Sequence, residues 1–373
     1  MEREELAGWL RLAWAPGVGP RTARKLLSAF GLPAQVLGAS RAAIEQVAGA
    51  AVADVLAKEP EGFSALLDDT VAWLAQSPSQ HHVLTLADAR YPRALLQIDD
   101  PPLLLYALGE VPASWPPAVA IVGSRNPTPQ GLENAKAFGR ALAQAGLTVV
   151  SGMALGVDGA AHEGALQGAG AGQLATVAVV GTGLDRVYPK QHRDLAHRIA
   201  ERGVILSEYP LGTPPLSENF PKRNRIIAAL GEGTLVVEAA LQSGSLITAK
   251  AAAEQGKDVF AIPGSIHSAQ SRGCHALLRQ GAKLVESAQD VLEELKFATK
   301  SVAADAVLAR PAGTFSSEKG LLAALGHDPV SLDALIARTG IDAASLQAQL
   351  LELELAGEVA RLPGGLFQRI ASA

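Results

Sequence analysis

Three cations, Lys222, Arg223 and Arg225, crowd around Asn224 directly after Phe220-Pro221. The period of the apolar residues that follow makes this the first turn of a helix, where cations oppose the positive end of the macrodipole. A helix that accepts that cost is expected to hold an anion there. Beyond it, the apolar run Thr234-Leu235-Val236-Val237 is flanked by Gly231 and Gly233, as a buried parallel strand should be. Ser243-Gly244-Ser245 then opens the helical segment LITAKAAAEQG. A Ser-Gly-Ser turn at a helix start offers backbone N–H groups and hydroxyls to an oxyanion, and Lys250 follows just over a turn later. Two loops with anion-binding chemistry thus flank one strand. The same residues also fit ordinary helix capping beside a solvated charge cluster.

Other candidate chemistry is weaker. Asp158 and His162, four apart in GVDGAAHEGAL, could pair as base and orienter, but a capping aspartate and a locally bonded histidine suit that helix start better. Gly181-Thr182-Gly183 is not followed by the third glycine or the ribose-binding acid of a dinucleotide site, so no NAD or FAD and no other cofactor is expected. No Ser-His-Asp arrangement, metal-ligand spacing or P-loop appears. Gly231-Glu232-Gly233-Thr234 followed by Glu238 faintly resembles the PGGxGTxxE loop of nucleotide phosphoribohydrolases, the enzymatic alternative. Here the leading proline is absent and the Thr-to-Glu spacing is one residue too long, which would misplace the acid/base.

The elements that must position these residues begin at Ala118. Strand, glycine turn and helix alternate from there, with strand candidates at 118–124, 147–152, 176–183, 203–209, 233–239 and 258–264 and a weaker one at 283–286. This pattern predicts an α/β fold with a doubly wound, Rossmann-like parallel sheet. Ligands bind beyond the carboxyl ends of such strands. Those ends here include Gly123-Ser124-Arg125, Ser151-Gly152, Gly181-Thr182-Gly183 and the 220–225 and 243–245 loops, mostly small or hydroxylic, with Arg125, Lys190 and Lys250 on the rim. The expected anion site is therefore Ser124, Arg125, Gly152, Thr182, Lys190, Lys222, Arg223, Asn224, Arg225, Ser243, Gly244, Ser245 and Lys250.

Composition limits the partners. The 373 residues carry a net charge of -5, which argues against a surface that coats nucleic acid generally. Residues 118–297, however, hold 17 basic and 16 acidic side chains, so a polyanion would be bound locally and there. A single cysteine, Cys274, excludes an intrachain disulfide. The start MEREELAGW is acidic, unlike a signal peptide, and no apolar run reaches membrane-spanning length, so the chain is expected in the cytoplasm.

Three flanking units are expected. Residues 1–117 read as a helical domain plus a Pro-rich connector from 59. Within it, Pro16-Gly17-Val18-Gly19 followed by Ala23, Leu26, Leu27 and Phe30 resembles a helix-hairpin-helix, and Arg21, Arg24 and Lys25 lie close by. Such hairpins touch DNA phosphates or serve only as packing units, and both readings stay open. Residues 298–316 read as a linker, and 317–373 as a winged helix. The third helix of that module opens with Asp342, Ala343, Ala344 and Ser345 and carries no cation in its leading residues, so it is expected to contact protein rather than DNA.

The motifs AIVGSRNPTPQG, SGMALGVDGAAHEGAL, VVGTGLDRVYP, LSEYPLGTPP, FPKRNRIIAAL and VVEAALQSGSLITAKAAAEQGKDVFAIPG resemble the DNA-processing protein A family, DprA or Smf. The resemblance covers the whole of 118–297 and reaches the flanking units less specifically. It implies a non-enzymatic single-stranded DNA-binding protein that forms a homodimer and loads the recombinase RecA in natural transformation. It also implies that Arg125, the loop Lys222, Arg223, Arg225 and the turn Ser243-Gly244-Ser245 bind DNA. Two residues depart from the family pattern: Gln242, where arginine is common, and His275, where asparagine is expected.

Overall fold

The computed structural model describes residues 2–297 and 321–370, apart from 323, 327 and 328. The chain opens with α1 (Arg3–Trp14), α2 (Pro20–Phe30), α3 (Pro33–Gly38), α4 (Arg41–Ala48), α5 (Ala50–Leu56) and α6 (Phe63–Gln76). Gly17 (φ 76°) turns the chain between α1 and α2, and Val18, Ala23 and Leu26 are buried beneath the hairpin. Two of its cations are tied to the connector: Arg21 pairs with Asp99 at 2.8 Å, and Arg24 donates to the Ile98 carbonyl at 3.3 Å.

That connector differs from the expectation. It contributes two strands, β1 (His81–Thr85) and β2 (Leu104–Gly109), so the boundary expected at Ala118 falls inside the sheet. The following elements are β3 (Ala118–Val122), α7 (Pro129–Gln144), β4 (Thr148–Ser151), α8 (Val157–Gly168), β5 (Thr176–Val180), α9 (Arg193–Arg202) and β6 (Val204–Ser207). Then come α10 (Asn219–Leu230), β7 (Gly233–Val236), α11 (Ser245–Glu254), β8 (Asp258–Ala261), α12 (Arg272–Arg279), β9 (Lys283–Leu284) and α13 (Ala288–Glu294). Strand order is β1-β2-β6-β5-β4-β3-β7-β8-β9. All pairs from β6 to β9 are parallel, while β2 is antiparallel to both β1 and β6. The reason lies in the apolar run Leu103–Ala107, buried throughout, which seats β2 so that the backbone of Tyr106–Gly109 satisfies the edge that β6 would otherwise leave unpaired.

Side-chain alternation along β3 divides the interior into two layers. Val119 and Ile121 face Phe138 and Leu142 of α7, Ala161 and Ala165 of α8 and Ile199 of α9. Ala118, Ala120 and Val122 face Ile226 and Ile227 of α10, Ala249 of α11 and Cys274 of α12, together with Leu95 of the connector and Leu105 of β2. Helices α7 and α8 pack closely because Gly164 lies against the Lys136 carbonyl, where a Cβ would collide with backbone.

The C-terminal unit comprises β10 (Val330–Ser331), α14 (Leu332–Thr339), α15 (Ala343–Leu355), β11 (Val359–Leu362) and β12 (Leu366–Arg369). Its three strands are ordered β10-β12-β11, with Gly364 and Gly365 turning the wing at positive φ. Asp342 caps α15 by accepting from the Ala344 and Ser345 N–H groups. The expected linker 298–316 lies outside the described residues. Among the described residues, no helix is long and apolar enough to cross a membrane.

His162 is fully buried on α8 beneath the sheet. Thr176 Oγ1 donates to the Val149 carbonyl at 2.6 Å, so His162 Nδ1–H must donate to Thr176 at 2.7 Å, and Nε2 is left without a partner. Burial holds the ring neutral and pulls its pKa from 6.5 to about 3, with the charges of His192 and Arg223 adding to the effect. Between those values the unfolded chain binds a proton that the folded chain refuses, so stability falls as pH drops through that window. Urea unfolding should lose about 1.4 kcal/mol per pH unit below 6.5 from this site. His162→Gln should be less stable at pH 7 but show a flatter profile. Equal slopes for both proteins would assign the acid sensitivity elsewhere.

Candidate nucleic-acid interface

The strand order reverses between β3 and β7: the chain leaves β3 for β4 on one side, and β7 lies on the other. A crevice opens beyond the carboxyl ends at such a point. Here the Ser124 N–H donates to the Glu238 carbonyl at 2.7 Å and ties the two loops together before they diverge. The resulting cleft has a volume of about 630 Å³ and is lined by Ser124, Arg125, Phe220, Arg223, Asn224 and the Ser243–Ser245 turn.

Arg223 forms the floor. It is 3% exposed, and its Nη2 donates to the Gly152 carbonyl at 2.8 Å. Its Nε and Nη1 have no hydrogen-bond partner. The guanidinium lies where the side chain of any other residue at 152 would sit, so a Cβ on Gly152 would overlap it. Asp158 acts on it electrostatically without forming an ion pair. Burial pulls the Arg223 pKa down to about 10 and pushes the Asp158 carboxyl up, each opposed by the other's charge. Arg223 therefore stays cationic at neutral pH.

The walls add three other kinds of contact. Arg125 is exposed and lies over the Phe220 ring, 5.6 Å from its centroid. The Tyr188 ring packs 5.6 Å from Phe220, so two aromatic rings border the cations. On the far side, the Ser243 and Ser245 hydroxyls are 2.7 Å apart at the start of α11, and Asn224 Nδ2 donates to the Gly244 carbonyl at 3.3 Å. Such an arrangement can take a phosphate on charge and hydroxyls, and a base on ring faces.

The expected residues divide. Ser124, Arg125, Arg223, Asn224, Ser243, Gly244 and Ser245 meet in the cleft, with Gly152 supporting its floor. Five do not line it. Thr182 is buried, its carbonyl accepting from Ser207 Oγ. Lys222 is exposed outside the cleft. Lys250 is exposed, 3.7 Å from Glu254. Arg225 is held by Asp100 at 2.9 Å and Glu208 at 2.8 Å; burial lowers its pKa, but these two carboxylates more than offset that. Lys190 borders a neighbouring cleft. Sequence reading missed Tyr188 and Phe220 as site residues, although each stands two places before a cation in VYPK and FPKR.

The acid–base candidates are engaged structurally. Glu238 accepts from the Thr128 N–H (2.9 Å) and hydroxyl (2.6 Å) at the start of α7 and does not line the cleft. Burial raises its pKa, partly countered by those bonds. Asp158 does not cap α8, whose N-cap is Gly156; from inside the first turn it accepts from the Ala154 N–H at 3.4 Å. His162 bonds to Thr176, not to Asp158. Of the two departures from the family pattern, Gln242 lines the cleft, and His275 Nε2 donates to the Gly264 carbonyl at 3.0 Å.

Residues 82–296 match the family described as DNA recombination-mediator protein A, and residues 308–365 match the DprA winged helix domain. The chain is 41% identical over 309 residues to the Smf protein of Escherichia coli, covering 80% of each. It is similar to the solved DNA processing protein A of Streptococcus pneumoniae, with 38% identity and a TM-score of 0.65 over 80% of this chain and 99% of that one. It is also similar to the Helicobacter pylori DNA processing protein A, with 33% identity and a TM-score of 0.51 over 58% of this chain and 97% of that one. The structure of the latter is described in terms of a single-stranded DNA binding mode. With more than half its length in the family match and four-fifths aligned to the Escherichia coli relative, this chain belongs to the DNA processing protein A (DprA/Smf) family.

Proposed function

We propose that this protein binds single-stranded DNA in the β3–β7 cleft and passes it to a recombinase, RecA, during the processing of incoming DNA. The observation that carries the reading is Arg223, a buried cation on the cleft floor with two unpartnered nitrogens. Holding such a group without a carboxylate in contact costs several kcal/mol, and a phosphate oxygen supplies what is missing. Arg125, Phe220 and Tyr188 then hold an unpaired base by stacking, which a duplex could not offer. The description of the Helicobacter pylori relative supports the same ligand. Contacts of this kind carry little sequence preference and require no turnover, so the protein acts in the cytoplasm as a binder rather than an enzyme.

We further propose a homodimer built around residues 273–295. Val291 and Leu292 are buried against the sheet, and Leu277 and Leu278 are packed against it, so these cover the core. Leu284, 54% exposed on the sheet-edge strand β9, remains as the apolar contact for a second copy. Two clefts on one strand would then gain by effective concentration.

If about four phosphates are neutralised, log K against log salt should have a slope of about -3 for single strands. Arg125→Ala should weaken all sequences alike in an anisotropy titration. Arg225→Ala should instead lower stability by about 3 kcal/mol, because Asp100 and Glu208 lose their shared partner. Its folded form should bind with nearly wild-type affinity. Unchanged affinity in Arg125→Ala would refute the cleft assignment.

Incubation with nucleoside monophosphates should release no free base. Turnover abolished by Glu238→Gln would establish the phosphoribohydrolase alternative instead.

Leu284→Glu should give monomers by light scattering that bind DNA weakly and fail to help RecA displace single-strand-binding protein. Monomers that load RecA as well as the wild type would end the dimer proposal.

A further inference from the structure

Lys190 lies in a second cleft, of about 640 Å³, between the start of α9, the loop 184–187 and the strands β2, β5 and β6. Its floor is apolar: Met153, Val180 and Ile205 are buried, while Leu108, Leu184 and Val187 are partly open to the cavity. Its rim is cationic. Lys190 and Arg193 form no ion pair among the described residues, and His197 stands one turn along α9 from Arg193. Arg186 is neutralised by Asp185 at 2.7 Å, and Asp185 also accepts from the Gly212 N–H at 2.8 Å, which fixes that wall. An apolar concavity of this volume beneath two unpaired cations is suited to a flat apolar ring that carries an anion.

The two clefts are neighbours. Met153 lines the second and Ala154 the first, so a single peptide separates their floors. Tyr188 borders the first cleft, is 44% exposed, and stands two residues from both Arg186 and Lys190 of the second. A strand leaving the Phe220 ring therefore meets Tyr188 and then Lys190 and Arg193, while Asp185, the carboxylate lining the second cleft, is already paired with Arg186. We infer that the second cleft takes the next stretch of the same single strand, with a base on the Leu184–Val187 floor and phosphates on Lys190 and Arg193. This rests on the single-strand reading of the first cleft. It makes each protomer's footprint longer than one pocket, turned at Tyr188.

The test compares oligothymidylates of about 6 and about 15 nucleotides, lengths within the range that single-strand sites span. The full-length protein and the double variant Lys190→Ala/Arg193→Ala are titrated by anisotropy, with thermal unfolding as the check on folding. The variant should bind the short strand within about two-fold of wild type and the long strand on the order of ten-fold more weakly. Its salt slope on the long strand should be smaller in magnitude by about 1.4, because two phosphates are no longer neutralised. Val187→Glu, which places a charge on the floor without removing a cation, should show the same length dependence. Equal effects on both lengths, or none on either, would overturn the inference. Arg125→Ala separates this from a failure of the first reading. If it weakens both lengths while the double variant weakens neither, only the second cleft falls. If it weakens neither, the single-strand reading falls with it.

Discussion

A guanidinium buried without a carboxylate in contact is the constraint on which the site depends. Arg223 has one hydrogen bond, to the Gly152 carbonyl, and the more distant charge of Asp158. Removing an ion from water costs several kcal/mol even after relaxation, so every neighbouring element must accommodate the guanidinium in one position. Gly152 does so by having no side chain, and the first turn of α8 does so by presenting Asp158. The helix that carries Arg223 is anchored from its other side. Arg225 lies two residues on, about 200° around a helix, and is clamped by Asp100 and Glu208. Asp100 belongs to the segment before the parallel sheet, so the N-terminal region helps fix the cleft floor without touching it.

That geometry explains which parts of the site were legible. Ser124, Arg125 and Ser243–Ser245 could be placed from sequence because loops beyond carboxyl ends converge at a reversal of strand order. The cluster Lys222, Arg223, Arg225 reads as one patch only if helix phase is ignored. Arg223 shares its stripe with Ile226, Ile227 and Leu230, at helical spacing, which marks it as the inward-facing cation. Lys222 and Arg225 fall off that stripe. Phase could have separated them; it could not have supplied Asp100 as the partner, since that contact joins residues 125 apart.

The fold divides along similar lines. Strands β3 to β8 were legible because each is a short apolar run followed by a glycine or serine turn and, mostly, a helix. The edge pair was not. β1 begins with two histidines, and β2 sits among prolines that read as a connector. Its assignment follows from what β6 lacks, a partner on its outer side, and that is a property of the assembled sheet rather than of any local stretch. Asp158 departs from its expected role for a related reason. Its place near a helix start suggests a cap, but Gly156 occupies that position, and the carboxylate answers a charge brought by α10.

The groups around the cleft also favour binding over turnover. A general acid or base must reach the substrate with a titratable proton. Glu238 is bonded to Thr128, His162 is sealed under the sheet with its donor committed to Thr176, and Asp158 faces Arg223. What remains lining the cleft for a ligand is a pair of arginines, hydroxyls and aromatic faces. Such a surface holds a polyanion through charge and stacking, and the net charge of -5 over the whole chain keeps that attraction local. Under the proposed function, its confinement to one end of the sheet gives a single strand a defined place to sit and leaves the rest of that strand free for another protein.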